Sequence, residues 1–401
     1  MVSTYDVVIV GGAVIGSAVA YYLASDADFN GSVLVVERDM GFRHASSALS
    51  FASIRTQFSN PINIQISQFG LSVIRDFANQ MRVGDTRPDL SFHESGYLFL
   101  ARDQAQVETL RTNHEVQVAC GADVVLWDAD EVAQAFPHLR TDDIALASYG
   151  RTGEGWFDNS GLMNGFRAKA RDLGVEYISD EVVAIGREGG RVTSVTLKSG
   201  GRIAAGHVVN ASGTRANQTA EMAGLHVPVE PRKRTVFVYD CAQSPEGSAS
   251  VAQGRLPLMI DSSGVFCRPE GQYFLAAVAP TPDPRVDFDD FEPQHALFED
   301  VIWPALAERS EAFEAIKVVN LWVGHYAFNT LDHNLIVGAH PEVGNFFFAN
   351  GFSGHGMQQA PATGRAIAEL IIHGGFRTLD LADLGYERVL RKQPFLEHSV
   401  I

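Results

Sequence analysis

Residues 4–37 read TYDVVIVGGAVIGSAVAYYLASDADFNGSVLVVE, and this stretch decides the fold. Residues 5–10 are a short unbroken apolar run, the pattern of a strand buried on both faces of a parallel sheet. Residues 13–25 read as a helix, and residues 33–36 as a second buried strand that ends at Glu37. Between the first strand and the helix lies Gly11-Gly12-Ala13-Val14-Ile15-Gly16. Strand, glycine turn, helix and strand make a βαβ unit. Residues 7–24 carry no charge, a length that could also suggest a membrane span. The glycines break that run where a turn is needed, and Asp6 opens it without a basic flank. A buried strand and helix is therefore the expectation, with no membrane span and no targeting segment.

Glycines at such a turn let the chain bend tightly and let the helix start approach a pyrophosphate, whose charge its free N–H groups bind. Glu37 stands where a carboxylate accepts bonds from ribose hydroxyls and disfavours a 2′-phosphate. Ala13 replaces the middle glycine of the usual fingerprint, and its methyl takes some room near the phosphates. The implied ligand is a dinucleotide.

The remaining composition narrows the class. With 401 residues, the chain exceeds one ordinary core, so two domains are expected. The net charge of −17 repels nucleic acid and anionic membranes, so an anionic substrate has to be drawn in by a few local arginines. Cys120, Cys241 and Cys267 form no C-x-x-C pattern, which fits a reducing, cytoplasmic setting and gives no metal site.

Outward from the opening unit, a helix is expected over residues 62–79 after Asn60-Pro61. Residues 82–141 change character: strand-like at 97–101, helical at 103–119 and 126–136, as an insertion covering a ligand. Strands are expected at 177–179, 182–185, 192–197 and 203–210, joined by glycine-rich hairpins. A second strand-rich stretch covers 236–239, 265–267 and 273–278, followed by a Pro/Asp-rich loop at 281–293 and a helix at 298–309. The end returns to strand (346–349), glycine turn and helix (357–372).

Two further motifs join the first. Val208-Val209-Asn210-Ala211-Ser212-Gly213 is a strand end that brings the chain back to the nucleotide. Asn350-Gly351-Phe352-Ser353-Gly354-His355-Gly356-Met357-Gln358-Gln359-Ala360-Pro361 exposes backbone N–H groups just before a helix, a nest suited to a polarised oxygen such as the N1/O2 side of a reduced flavin.

In this order the three motifs resemble the D-amino-acid oxidase family of flavoproteins, the group that includes sarcosine oxidase, glycine oxidase and dimethylglycine dehydrogenase. Residues 48–67, with Ser53-Ile54-Arg55-Thr56-Gln57-Phe58 and Asn63-Ile64-Gln65, are also similar to the FAD-dependent oxidoreductase domain proteins linked to respiratory complex I assembly. The resemblance runs over nearly the whole chain and is loosest over 82–141. It implies an α/β fold: a Rossmann-like FAD domain of the glutathione-reductase type (residues 1–81, 142–226 and 325–401) and a mixed-sheet α+β substrate domain (82–141 and 227–324). It implies FAD held by Gly11, Gly12, Ala13, Val14, Ile15, Gly16, Glu37, Arg38, His44, Ser46 and Ser47. Val182, Ala211, Gly213, Gly351, Gly354, His355, Gly356 and Met357 complete that set.

The implied chemistry is hydride transfer from a carbon beside nitrogen, then imine hydrolysis, with a small N-substituted or D-amino acid as substrate. An arginine fork suits the substrate carboxylate. Arg268 lies where glycine oxidase places such an arginine, and Arg55 follows a small-residue segment near the flavin. Arg232, Lys233 and Arg234 read as a solvated turn. His325 is open to proton transfer near neutral pH or to a satisfied core role, and Tyr326 to bounding the pocket. Gly324 occupies roughly the place of the cysteine that tethers FAD in sarcosine oxidase, so non-covalent FAD is expected. Gln358 replaces a lysine, and no oxygen-activating lysine is evident near residues 266–268, which leaves oxygen or an electron-transfer acceptor as oxidant. The competing readings are a 2-hydroxyacid-type dehydrogenase and a non-catalytic flavoprotein assembly factor.

Overall fold

The computed structural model describes residues 3–245 and 256–398. Its first sheet runs in the order Ile336–His340, Val343–Asn350, Arg202–Asn210, Ser3–Val10, Val33–Glu37 and Glu176–Ser179. Ser3–Val10 is parallel to both of its neighbours, with Ile9 opposite Val209 and Val35. The expected opening βαβ unit is present, its helix spanning Val14–Ser25. The apolar run is continuous because both faces are covered. Val7 and Ile9 pack under that helix and under Gly356–His373, while Val8 and Val10 face the Val182–Glu188/Arg191–Leu197 hairpin side. The two long helices lie so close that a Cβ on Gly364 would sit 2.7 Å from the backbone of Ala18.

The second sheet is ordered Ile316–Asn329, Val229–Cys241, Tyr273–Ala277, Phe266–Glu270, Leu258–Ile260, Tyr97–Ala101, Leu146–Gly150 and Val124–Trp127. Alternation with a period of two gives it two faces. Leu98, Phe237, Tyr239, Met259, Cys267 and Phe274 pack beneath the outer helices. Tyr97, Val236, Leu258, Ile260, Phe266, Leu275 and Ala277 turn the other way, with Trp156 and Phe51.

Several expectations change. The helix expected over 126–136 is a strand, Val124–Trp127, then a helix, Ala129–Ala135. Asp128 is the reason for the break: its side chain accepts from Glu131 N while Glu131 reaches back to Asp128 N, a capping box that starts the helix there. Arg232, Lys233 and Arg234 are not a solvated turn but lie inside the Val229–Cys241 strand. The helix Asn159–Asp172 and the long Ile316–Asn329 strand had no counterpart in the sequence reading. By sheet membership, Leu146–Gly150 and Ile316–Asn329 go with the second sheet, beyond the expected breaks at 142 and 325. Among the described residues no helix is long and apolar enough to cross a membrane.

Candidate active site

A cavity of about 270 Å³ runs from the carboxyl ends of the first sheet's strands to the inward face of the second. Its outer end is built by the glycine turn. Gly11 has φ +100°, and a Cβ there would lie 2.5 Å from Ala211 O, so the first and second motifs touch through backbone. A Cβ on Gly16 would lie 1.9 Å from Gly11 O. Ala13 at the N-cap offers no side-chain cap to the helix Val14–Ser25, Ser47 Oγ accepts from Val14 N only at 3.4 Å, and the first turn holds no acid. The start of this helix faces the cavity through Ala13, Val14 and Ile15, an anion cradle of the kind a pyrophosphate fills. Glu37 borders the cavity, its two oxygens each taking one backbone N–H, from Gly12 and from Asp39, both at 2.8 Å. Its remaining lone pairs suit ribose hydroxyls. These features fit FAD.

The middle is closed by the chain between residues 42 and 52. Asn159 Nδ2 ties this segment down, donating to the carbonyls of Ser47, Ala48 and Ser50 at 3.0, 2.9 and 3.3 Å. Ser46 Oγ donates to His325 O at 2.6 Å, and Trp322 Nε1 to Leu49 O at 3.0 Å. Gly324 permits this approach, since a Cβ there would stand 3.1 Å from Leu49 O. The loop at 281–293 crosses over the same region through ion pairs: Asp283 with Arg234, Asp289 with Arg215, and Asp290 with Lys233.

The inner end gathers buried polar side chains. Arg55 is 1% exposed, and burial lowers the pKa of its guanidinium. Its Nη1 donates to Gln57 O, and the guanidinium lies 4.0 Å above the Phe58 ring. Nη2 stands 3.1 Å from His355 Nε2. Arginine only donates, so His355 accepts there and carries its proton on Nδ1. Burial, then the Arg55 charge, hold His355 well below the usual histidine range. Gln358 Oε1 accepts from Arg55 N at 2.9 Å. Behind them the fully buried Glu154 takes Thr56 N and Oγ1, both at 2.7 Å, and Gln57 Nε2 at 2.8 Å, which fixes the peptide that presents Arg55. Tyr97 donates to Ser53 Oγ, and burial pushes both its phenol and that of Tyr326 up. The Tyr326 ring lies against Gly354, where a Cβ would approach to 2.6 Å, and under the Arg234 guanidinium at 4.6 Å.

Most of the expected residues border this one cavity: Gly11, Ala13, Val14, Ile15, Glu37, Arg38, His44, Ser46 and Ser47 at its outer and middle parts, with Val182, Ala211 and Gly213. Gly354, His355, Gly356, Met357, Arg55, His325 and Tyr326 border it further in. Gly12, Gly16 and Gly351 do not; they shape the turns, and a Cβ on Gly351 would meet Asn329 Cβ at 3.0 Å. Arg268 is not on the cavity either. Its guanidinium pairs with Glu270 and donates to Pro269 O and Phe51 O, both at 3.1 Å, so it backs the wall instead of gripping a ligand. His325 is satisfied within the fold: Nε2 donates to Asp290 O at 2.7 Å, its ring stacks on Phe291 at 4.3 Å, and Phe291 stacks on His44 at 4.4 Å. Burial lowers its pKa.

The sequence reading missed Arg234, Tyr97, Glu154 and Asn159. Arg234 is 5% exposed and makes a two-pronged pair with Asp283 at 2.9 and 2.8 Å. Its signal was the alternation of residues 234, 236 and 238 on one strand face. Glu154, between Gly153 and Gly155, carries no local signal at all.

Comparison with known proteins agrees with this geometry. The family described as DAO, FAD dependent oxidoreductase, matches residues 6–370. The FAD-dependent oxidoreductase domain-containing protein 1 of Xenopus laevis is 40% identical over 430 residues, covering 99% of this chain and 85% of that protein. Among solved structures, L-proline dehydrogenase from P. horikoshii has a TM-score of 0.83 at 24% identity, covering 98% of this chain and 100% of the other. Glycine oxidase from Geobacillus kaustophilus has a TM-score of 0.80 at 22% identity, covering 96% and 98%. With the family match spanning the glycine turn, the Ala211 strand end and the His355 helix start alike, this chain belongs to the DAO family of FAD-dependent oxidoreductases, enzymes whose cofactor is FAD.

Proposed function

We propose that the chain oxidises the C–N bond of a small amino acid or N-substituted amino acid, with the substrate carboxylate held by Arg55. One observation carries this: a buried guanidinium borders a cavity that Tyr97 and Tyr326 also line, in a protein whose net charge is −17. Bound FAD supplies the acceptor for a hydrogen and its electron pair from the carbon beside nitrogen. The chain's own part is positional. Arg55 sets its Nη2 edge against His355 and rests on Phe58, which together fix where the guanidinium points. Tyr97 and Tyr326 stay protonated at neutral pH and line the space beside it. His325, neutral with Nε2–H given to Asp290 O, keeps Nδ1 as an acceptor. The FAD contacts named above remain part of this proposal, as do non-covalent attachment and a two-domain division into an FAD domain and a substrate domain. Glycine oxidase and L-proline dehydrogenase, which share the fold, act on amino acids by their names, which supports the reading.

The test is anaerobic mixing of the holoenzyme with D-, L- and N-alkyl amino acids while the flavin absorbance is followed. Bleaching with release of ammonia or amine supports the proposal. Bleaching by 2-hydroxyacids alone, with a keto acid product free of nitrogen, replaces it. No bleaching by any of them leaves a flavoprotein without amine turnover. Peroxide formation in air, against reduction of a dye, separates oxygen from an electron carrier as oxidant.

A further inference from the structure

We infer that the substrate carries a large apolar side chain, seated on the centre of the second sheet, and that glycine-sized acids are poor ligands. This deepens the amine-oxidation reading and rests on it for the chemistry, though not for the binding. Four adjacent strands turn Val236, Ala277, Phe266, Leu258 and Ile260 into the cavity. All five are 6% exposed or less, and none offers a hydrogen-bonding side chain. The polar groups stand at the margins: Tyr97 on the strand beyond Leu258–Ile260, and Arg234 and Tyr326 on the other flank. Phe51 closes the wall, edge-to-face on Phe266 at 5.0 Å and 78°. Arg268 fixes Phe51 from behind, with its guanidinium 4.8 Å from that ring and its Nη2 on the Phe51 carbonyl. An apolar wall of this kind gives water few partners and is filled favourably by an apolar group. With a carboxylate on Arg55, an acid lacking a side chain leaves that wall unused. Each methylene placed on it improves affinity roughly fourfold, the transfer free energy of one CH2 expressed as a ratio.

Calorimetry on the FAD-loaded protein with redox-inert carboxylates tests this without turnover. From acetate to 4-methylvalerate, four added carbons are expected to tighten binding about a hundredfold or more. Acetate and 4-methylvalerate binding within threefold of each other would overturn the inference. Ala277→Leu fills the wall, so it is expected to remove most of the advantage of 4-methylvalerate while acetate stays within threefold. Ala277→Val, a smaller intrusion, is expected to do so in part and serves if the larger change disturbs FAD uptake. Anaerobic reduction by glycine, alanine, leucine and phenylalanine, in both hands and as N-methyl derivatives, adds the chemical arm. Size-graded carboxylate binding with no bleaching sinks the amine chemistry and keeps the apolar pocket. Bleaching by glycine as efficiently as by leucine does the reverse.

Discussion

Replacing Asn159 tests how the cofactor-side loop is held. One side-chain amide serves three carbonyls, those of Ser47, Ala48 and Ser50, while its Oδ1 accepts from Ser160 N at 2.8 Å. Ser46, Ser47, Leu49 and Phe51 of that segment border the cavity, so its order matters most when FAD is bound. Asn159→Ala removes two N–H donors. At about 1 kcal/mol of net stabilisation each, the loss is about 2 kcal/mol. If it falls wholly on the FAD-bound form, Kd for FAD rises about thirtyfold. Asn159→Asp has nearly the same shape and keeps the Ser160 bond, yet it sets a carboxylate oxygen against three carbonyl oxygens. It is therefore expected to be worse than alanine, by a further tenfold at least. The assay is the quenching of FAD fluorescence on titration into apoprotein, with urea midpoints of the apoproteins as control. An aspartate variant that binds FAD as tightly as wild type refutes the reasoning outright. So does an equal loss of stability in the apo and FAD-bound forms, since the amide would then be serving the fold alone.

Three other changes address the rest of the site. Gly16→Ala drives a methyl into Gly11 O, a backbone atom that cannot yield without opening the turn, so the purified variant is expected to lose its yellow colour, with FAD content by absorbance below a tenth of wild type. Arg55→Met is expected to raise KM for amino-acid substrates about a hundredfold, the scale of a charged hydrogen bond or two, and Arg55→Lys to recover only part of it because the fork is lost. An amine lacking a carboxylate is the control: equal losses with it would count against the anchor. His355 gives a pH signature. Its pKa lies well below 6.5 when folded, so below about pH 6.5 the unfolded chain takes up a proton that the folded one refuses. Stability is then full above that range and falls on acidification, at up to about 1.4 kcal/mol per pH unit from this residue. Urea midpoints of wild type and His355→Gln between pH 5 and 7.5 should diverge by that slope, and parallel profiles would count against a neutral, buried imidazole.

The outer half of the cavity was legible because its information is local. Gly11 to Gly16 and Glu37 all lie within one βαβ unit, where Gly16 abuts the backbone of Gly11 and Gly12 the side chains of Val35 and Glu37. The inner half was not. Tyr97, Val236, Leu258, Phe266 and Ala277 meet only because separate strands become neighbours in the second sheet, and no residue in that set is unusual in its own stretch of chain. The two strand arginines show the difficulty best. Arg234 sits in a run of three charges and read as solvated, whereas Arg268 read as a ligand anchor because it lies where glycine oxidase places such an arginine. The fold buries and pairs both, and of the two only Arg234 borders the cavity. Lys233 and Arg234 are neutralised inside a strand by Asp290 and Asp283 from a loop some fifty residues on, as the 57- and 49-residue separations of their hydrogen bonds record. Arg268 is taken by Glu270, two residues away on its own strand. Charge compensation at such distances leaves no mark in local composition. The short Val124–Trp127 strand was lost for a different reason: four apolar residues ahead of a helix look like its first turn unless the Asp128 cap is given its full weight.

The division of labour across the cavity follows from what each kind of backbone has to offer. Phosphates are best met by unspent N–H groups, and these exist at a helix start but not within a sheet, where the ladder uses them. Cofactor binding therefore has to sit on turns, where a single methyl in the wrong place is disruptive, as at Gly11 and Gly16. A sheet face offers the opposite: its hydrogen bonds are complete, and its side chains stand in a flat array that can be exchanged one at a time. The wall of Val236, Ala277, Phe266, Leu258 and Ile260 is of that kind. Substitutions there should alter which acids bind while FAD content stays close to wild type. Changes at the glycine turn should instead abolish FAD binding before any question of substrate arises. Wall variants that lose FAD as readily as Gly16→Ala would mean that the two functions share a surface, contrary to the separation of sheet from turn on which the proposed chemistry is built.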